Sequence, residues 1–510
     1  MVNTAPGLCP NEVDKRRLPR WVTRGLRYSL ALSVFTMGCS MAPDPVTISA
    51  LNRIPEAFPD AGAERPEAIA WWADFQDPTL DEVVGLAIVS NLDVHEAVAR
   101  VEEVRAQYRI GRSPLFPSVT AGIDASRFSQ PANTGQFGAI LESGAGEGDP
   151  ERTNRFSFAT FGASLGFSYE LDFWGKLNSG RRAAMADFMA TESDLHTVQI
   201  SIASETIAAY FELRELRARQ TILEGVVDIL TERDALTEDR YQRGVATSIE
   251  LYQIQQDLNA TRAGLPLLVS QIRATRGRLA LLLGRYPHEV DEILAGDGVP
   301  VVSSDPIPAG LPSDVLAGRP DLRAAGLRLE ASRQRVGERA AARFPSISLT
   351  GSTGTQSGEL KNIVRADQWF TNFITSLTAP IFSGGRLKAD QEAAEARYGQ
   401  EAARYARSVL TAFQEVDASL AAFDAQRQRK LVLDEQLLGA QSSVEAQLRR
   451  VELGVGDYVG YLDALRTVLN VQDTQASAER ELAAARLNVH RALGGTWLAP
   501  PAEPTLEESR

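Results

Sequence analysis

The chain is poor in the side chains that carry chemistry. Its 510 residues include two cysteines, Cys9 and Cys39, and four histidines, His95, His196, His288 and His490. No histidine has a Cys, His or carboxylate partner at metal-ligand spacing. No glycine-rich loop of the phosphate-binding type is present. Acidic residues are plentiful, but on long helices they form a solvated face. We therefore expect no enzyme, no metal and no cofactor of the ordinary kind, and any energy must come from a partner. Positive charge is also short: 53 Lys and Arg against 66 Asp and Glu leave a net charge of −13, which argues against a nucleic-acid partner. Long apolar runs are missing too. The best candidate, Tyr28–Gly38, has eleven residues and is too short to cross a membrane.

That short run follows Lys15, Arg16, Arg17, Arg20, Arg24 and Arg27, so it reads as the apolar part of an export signal. The segment Thr36-Met37-Gly38-Cys39-Ser40 then has the form of a bacterial lipoprotein cleavage box, with Cys39 as the first, lipid-modified residue. Ser40 after the cysteine fits sorting to the outer membrane. The alternative is a plain signal peptide with an incidental cysteine. Cleavage removes six basic and two acidic residues, taking the net charge from −13 to −17. It also removes Cys9, so the mature chain has no internal disulfide. The expected organisation starts with a signal at 1–38 and a lipidated extended segment at 39–70.

What the chain does have is a long internal repeat. Gly175-Lys176-Leu177 returns as Gly385-Arg386-Leu387, Gly244-Val245 as Gly454-Val455, and Leu283-Gly284 as Leu493-Gly494, each 210 residues on. Phe116-Pro117-Ser118 returns as Phe344-Pro345-Ser346, 228 residues on, so the first copy carries 18 extra residues before its Gly-basic-Leu. The excess falls in Ser129–Arg155, whose glycines and prolines are loop chemistry. We place repeat one at 71–286, a linker at 287–313, repeat two at 314–497 and a disordered acidic tail at 498–510.

Each copy reads as a helix of about 30 residues, two strands, a very long helix, a tip and a return helix. The first helices are expected at Asp81–Gly111 and Asp314–Arg343, each stopped by Phe-Pro-Ser because proline disfavours helix in the residue before it. Strands are expected at about 117–128, 157–171, 345–355 and 370–382. Phe161, Ala163, Leu165, Phe167, Tyr169 and Leu171 alternate with small or polar residues. Such alternation is the signature of a membrane barrel, although a soluble half-buried sheet has it as well. Four strands cannot close a spanning barrel, so if these span, several chains must share one.

The long helices are expected at 176–243 and 387–453, with returns at 245–284 and 457–494. No proline occurs from Lys176 to Gly244 or from Arg386 to Gly454. At 1.5 Å per residue each long helix measures about 100 Å. Ile222, Val226, Ile229 and Leu236, and Leu437, Val444, Leu448 and Val451, follow coiled-coil spacing. A plain helical bundle is the alternative.

Several segments stand in a telling order: Trp71-Trp72-Ala73-Asp74-Phe75-Gln76-Asp77-Pro78-Thr79-Leu80, Gly318-Arg319-Pro320-Asp321-Leu322-Arg323, Phe344-Pro345-Ser346-Ile347, Pro380-Ile381-Phe382-Ser383-Gly384-Gly385-Arg386-Leu387 and Gly454-Val455-Gly456-Asp457-Tyr458. Together they resemble the outer-membrane efflux proteins, the TolC-like family, and its lipoprotein branch (OprM-like, NodT-type). The resemblance implies a homotrimer. Each protomer would give four strands to one transmembrane barrel of twelve, continued by a coiled-coil α-helical tunnel in the periplasm.

The resemblance also implies partners: a periplasmic adaptor, an inner-membrane pump of the RND type, and outer-membrane lipid. It assigns adaptor docking to the tips at Arg243, Gly244, Val245, Ser248, Gly454 and Val455, and the barrel–tunnel junction to Pro117, Gly175, Pro345, Pro380 and Gly385. Val459, Asp463 and Arg466 share one helix face by spacing. In the family that face lines a periplasmic gate, where Arg466 would offset a ring of Asp463 carboxylates. An ordinary surface Asp–Arg pair is the alternative. Copy one has Ile249, Gln253 and Gln256 at these places, so the charges belong to copy two alone. Three functions compete: an efflux exit duct, a type I protein-secretion duct, and a structural coiled-coil envelope lipoprotein. A tether needs no strands.

Overall fold

Proline and glycine punctuate both repeats at matching places, and the elements fall between them. The computed structural model describes residues 41–45, 71–131, 155–294, 302–305, 307 and 318–495. The signal, Cys39, most of the 129–155 connection, residues 314–317 and the tail lie outside these.

Repeat one contains α1 (Pro78–Ser90), α2 (Leu92–Arg112), β1 (Ser118–Pro131), β2 (Arg155–Leu171), α3 (Lys176–Gln242) and α4 (Ser248–Leu282). A short α5 (Pro287–Ile293) follows. Repeat two contains α6 (Pro320–Ala341), β3 (Ser346–Ser357), β4 (Trp369–Thr378), α7 (Arg386–Glu452) and α8 (Tyr458–Ala492). The two long helices α3 and α7 each have 67 residues. Glycines with positive φ precede both, Gly175 at 72° and Gly385 at 82°, a backbone region that glycine enters without penalty. The return helix α4 runs on through Pro266.

Several boundaries differ from expectation. The helix expected over Asp314–Arg343 is seen over Pro320–Ala341, and β1 and β3 run to Pro131 and Ser357. The single helix expected over Asp81–Gly111 is broken at Asn91. The Asn91 side-chain oxygen accepts from the backbone N–H of Asp93 (2.8 Å) and Val94 (3.2 Å), capping α2 where good helix formers on both sides conceal the break. The fourth strand, expected over 370–382, runs from Trp369 to Thr378. It stops short of Pro380, which has no N–H to offer a neighbouring strand.

The described residues form two compact units. The first holds the four strands, antiparallel in the order β1-β2-β3-β4. The register pairs Ser118 with Ser168, Phe161 with Ser357, and Ser346 with Thr378. Side chains alternate across a sheet, so one face collects Val119, Ile123, Phe161, Leu165, Phe167, Leu349, Phe373 and Leu377. The other collects Ser118, Thr120, Ser164, Ser168, Thr350 and Ser352. Small residues on the polar face leave room for larger ones: a Cβ at Gly162 would meet the Asp124 carboxylate at 2.7 Å. The apolar side chains of that face are open, Ile123 90% and Leu377 70% exposed, while Thr355 and Ser357 at the end of β3 are buried. At the end of β1 and the start of β2 the polar face carries one aromatic pair, Phe128 and Phe158, with ring centroids 5.3 Å apart.

In the same unit the backbone of Ala42 lies against α6 at Gly337. A Cβ there would meet the Ala42 nitrogen at 2.7 Å and its Cα at 2.9 Å, so only glycine leaves the space.

The second unit is helical. Its main core joins Trp71, Phe75 and Leu80 to Ile207, Tyr210 and Leu213 of α3, Leu279 of α4, Val290 of α5, and Leu482 and Val489 of α8. The Trp71 ring nitrogen is buried in it without a partner among the described residues, but other polar groups pair: the Tyr210 hydroxyl donates to Asp77 at 2.6 Å. The Arg486 Nε donates to Asp74 at 2.8 Å, and His490 Nε2 lies 3.0 Å from the same carboxylate. A smaller core packs Val226 and Leu230 of α3 on Leu251, Ile254 and Leu258 of α4.

Each repeat closes by the same contact. Gly284, at φ 61°, sits so close to Ser90 that a Cβ would lie 2.5 Å from its carbonyl oxygen. Gly494, at φ 87°, approaches the Gly318 carbonyl in the same way, at 3.0 Å. Beside these, Asn91 Nδ2 donates to the Leu282 carbonyl (3.0 Å), and Arg319 Nη1 to the Ala492 carbonyl (2.9 Å).

Candidate functional site

The tip of each long helix ends in a glycine-dependent reversal. In copy one Gly244 has φ 76°, and the Val245 N–H donates to the Arg240 carbonyl at 2.8 Å. In copy two Gly454 has φ 70°, and Val455 donates to the Arg450 carbonyl at 2.9 Å. A left-handed glycine followed by a bond back to the last turn satisfies carbonyls that the helix end orphans. Val245 and Val455 are left 67% and 69% exposed. Arg243 turns back to Asp239 (2.9 Å), and Ser248 is the exposed first residue of α4. Thr247 caps α4 and Asp457 caps α8.

The turns differ one residue later. A Cβ at Gly456 would lie 2.7 Å from the Arg450 carbonyl carbon, whereas copy one holds Ala246 at the matching place.

Val459, Asp463 and Arg466 lie in the first turns of α8, and each charge has a partner. Arg466 does not pair with Asp463. Asp463 accepts from Arg233 of α3, and Arg466 Nη1 donates to Asp257 of α4 at 3.3 Å. Three residues apart on a helix, the two side chains flank the face and reach different neighbours. Tyr458 adds a third link, its hydroxyl donating to Glu232 of α3 at 2.6 Å. That bond to a carboxylate, with a little desolvation, holds the phenol pKa above its ordinary value. Val459 is half-buried beside them.

The three links tie the start of α8 to the end of α3 and the start of α4. Asp463 and Asp257 are 50% and 51% exposed, so each ion pair is worth under about 1 kcal/mol. Such a set holds one arrangement and releases it at modest cost. Glu232, Arg233, Asp257 and Tyr458 were not singled out from the sequence. A signal existed: at the 210 offset they face Ser442, Ser443, Thr467 and Ser248, so three charges and a phenol each stand opposite a small hydroxyl residue.

The junction residues sit at element boundaries. Pro117 and Pro345 immediately precede β1 and β3, Pro380 follows β4 by two residues, and Gly175 and Gly385 immediately precede α3 and α7. Copy one ties its junction with side chains that copy two lacks. Asp172 accepts from the N–H of Leu177 (3.0 Å) and Asn178 (2.7 Å), and Trp174 stacks on Phe344 (4.9 Å) while donating to the Pro345 carbonyl (2.8 Å). Phe382 and Gly384 stand at the matching places of copy two. Among the described residues no three His, Cys, Asp or Glu come together as a metal site, and no helix is long and apolar enough to cross a membrane.

A sheet with one bare apolar face and two open edges, followed in each repeat by a 67-residue helix, defines the protomer of an outer-membrane channel. Residues 83–285 and 311–495 match the outer membrane efflux protein family, and the chain belongs to it. Its relatives include the toluene efflux pump outer membrane protein TtgC of Pseudomonas putida, 30% identical over 486 residues that cover 92% of this chain and 95% of TtgC. They also include outer membrane protein OprJ of Pseudomonas aeruginosa, 31% identical with the same coverage. Among solved structures, a membrane protein from Pseudomonas aeruginosa superposes with TM-score 0.78 at 28% identity, covering 90% of this chain and 98% of the other. The open state of the MtrE outer membrane channel of Neisseria gonorrhoeae gives TM-score 0.75 at 26% identity, covering 90% and 99%.

Proposed function

We propose that this outer-membrane channel protein is the exit duct of a tripartite efflux system, conducting small molecules passively from the periplasm to the outside. The observation that carries the reading is the open sheet. β1 and β4 end it on either side, and an unpaired edge in lipid leaves backbone groups unsatisfied. Three copies supply twelve strands, an even number of the size such barrels have. The exposed Leu431, Val432 and Leu438 of α7 support this assembly, since they give a neighbouring protomer an apolar face.

The tips dock a periplasmic adaptor through Val245 and Val455, and the adaptor couples the duct to an inner-membrane pump of the RND type. Asp463, Arg466 and Val459 form the periplasmic gate, held shut by Arg233, Asp257 and Glu232. Cys39 is acylated and adds a lipid anchor beside the barrel. No step is catalytic. The name of the relative TtgC, a toluene efflux pump outer membrane protein, supports small molecules over a polypeptide cargo.

Native mass spectrometry and unheated gels of detergent-purified protein test the assembly. A trimer that collapses on boiling, conducts in planar bilayers and copurifies with an adaptor is expected. A monomer without conductance sinks the reading. Cys39→Ala should abolish fatty-acid labelling yet leave the assembled trimer in the membrane, whereas an unmodified mature N-terminus would remove the anchor.

A further inference from the structure

On the apolar face of all four strands only two charged side chains occur, and both are arginines: Arg127 of β1 and Arg155 of β2. The register sets Arg127 opposite Ala159 and Arg155 opposite Pro131, both on the Val119–Ile123 side of the sheet. Both lie at the end of the hairpin remote from α2 and α3, where the long connection begins. Longer connections of such barrels lie outside the cell.

Their height can be estimated. A strand rising about 3.4 Å per residue and tilted about 40° climbs roughly 2.6 Å per residue along the membrane normal. Measured from Val119, Arg127 then stands about 21 Å up, and Arg155 about 31 Å up. The apolar band of an outer-membrane barrel is about 25 Å tall. The two arginines therefore bracket its outer edge, where a lipid-facing Arg is tolerated far better than at the midplane. Both are exposed, and neither has a carboxylate partner among the described residues. Arg155 Nε donates to the hydroxyl of Ser129, which lies between them on the same face, at 3.3 Å. That bond orients one guanidinium and leaves its forked Nη donors to the lipid side.

From this we infer that Arg127, Ser129 and Arg155 form a binding site for the phosphate-bearing headgroup of an outer-leaflet lipid. A guanidinium fork matches a phosphate bidentately, which an ammonium does not. Acyl chains of the same lipid then lie on the apolar band beneath, along Val119, Ile123, Phe161 and Leu165. Acidic side chains on the strands, Asp124 and Glu170, are confined to the opposite face, so no strand carboxylate on this face repels an anion. The inference rests on the reading of the apolar face as lipid-facing.

The test uses the full-length assembled protein in mild detergent, titrated with a diphosphorylated glucosamine lipid, its dephosphorylated form, or inorganic phosphate, with bound mass read by native mass spectrometry. The parent should retain the phosphorylated lipid at least tenfold better than the dephosphorylated one. R127S with R155S should bring that preference close to one, while R127K with R155K should keep only part of it. Equal preference in parent and serine variant overturns the site. Displacement of the lipid by millimolar inorganic phosphate overturns the lipid reading and leaves an anion site. Should the serine pair fail to assemble, the single variants R127Q and R155Q carry the same test. Planar-bilayer conductance of the same samples separates the two proposals: a conducting channel without lipid preference defeats this inference alone, and a non-conducting parent defeats the channel reading.

Discussion

In the first repeat Asn91 donates to the Leu282 carbonyl, and at the matching position of the second Arg319 donates to the Ala492 carbonyl. The backbone geometry on either side is the same, down to the glycine pressed against the preceding carbonyl. The chemistry is not. Asn91 is neutral and serves also as a helix cap. Arg319 brings a charge into a site where it is only 8% exposed, and it is met by Asp321 (2.8 Å) and Glu415 (2.7 Å). The first repeat still has Asp93 and Glu205 at the places of those two acids, without an arginine between them. The backbone contact is thus the shared requirement of a closed repeat, and side chains have diverged around it. The gate extends the lesson, because its bonding partners are divided between copies: Arg233, Glu232 and Asp257 in one, Asp463, Tyr458 and Arg466 in the other.

The equivalence of the tips should be the easiest to break. Val245→Asp and Val455→Asp should each abolish export by the living cell while leaving the trimer intact on unheated gels, if both tips dock. Loss from one side only would show that a single repeat carries the adaptor. Unchanged adaptor crosslinking in both would argue against tip docking.

The gate should respond unequally. Asp463→Ala with Arg466→Ala should raise single-channel conductance severalfold and reduce cation preference, whereas Gln253→Ala with Gln256→Ala at the matching places should change neither. Parental conductance in the first double variant would place the constriction elsewhere. Arg233→Ala, which frees Asp463 without touching α8, should raise conductance by a smaller step and, by leaving the carboxylate unpaired, increase cation preference.

The closures should differ in strength. Arg319→Ala leaves two carboxylates, both partly solvated, and one buried carbonyl without their donor, at a cost of about 2–3 kcal/mol. Asn91→Ala loses a cap and one side-chain bond, at about 1–2 kcal/mol. Denaturant midpoints of the detergent-solubilised protein measure both. Equal shifts would mean that the added charge contributes nothing.

The smallest effect is one of pH. Burial raises the Asp74 pKa, but the hydrogen bond from His490 and the charge and hydrogen bonds of Arg486 outweigh it, and the net shift is downward. A depressed carboxylate stabilises the fold above its unfolded pKa, and that share is lost as pH falls through the folded value. Stability should therefore drop below about pH 4, and Asp74→Asn should flatten that limb of the profile. The first repeat has Arg276 and Ala280 where the second has Arg486 and His490, so it should show no matching step.

Much of this was legible in the sequence, because it rests on periodicity and on glycine and proline. Proline-free stretches marked α3 and α7, strict alternation marked β2, and paired glycines marked the tips. The break at Asn91 was hidden because a single side-chain cap interrupts a helix without changing its composition. The ends of β4 were blurred, since Phe370 and Ile374 fall on the polar face and spoil the alternation. The partners of Asp463 and Arg466 were invisible for a different reason. They lie 230 and 209 positions away on other helices, and helix spacing reports only neighbours on the same one.

Gly337 also bears on the order in which the protein can fold. Ala42 rests on it, yet 295 residues separate the two along the chain. Chains emerge from synthesis and export amino end first, so the seat for Ala42 does not exist until α6 has followed. Closing so long a loop adds little entropic cost beyond that of a shorter one, but it cannot happen early. The residues just after Cys39 are thus among the first to leave the cell interior and among the last to find their place. Arg109 occupies the position in α2 that matches Gly337, so the first repeat, finished much sooner, offers the strap no earlier berth.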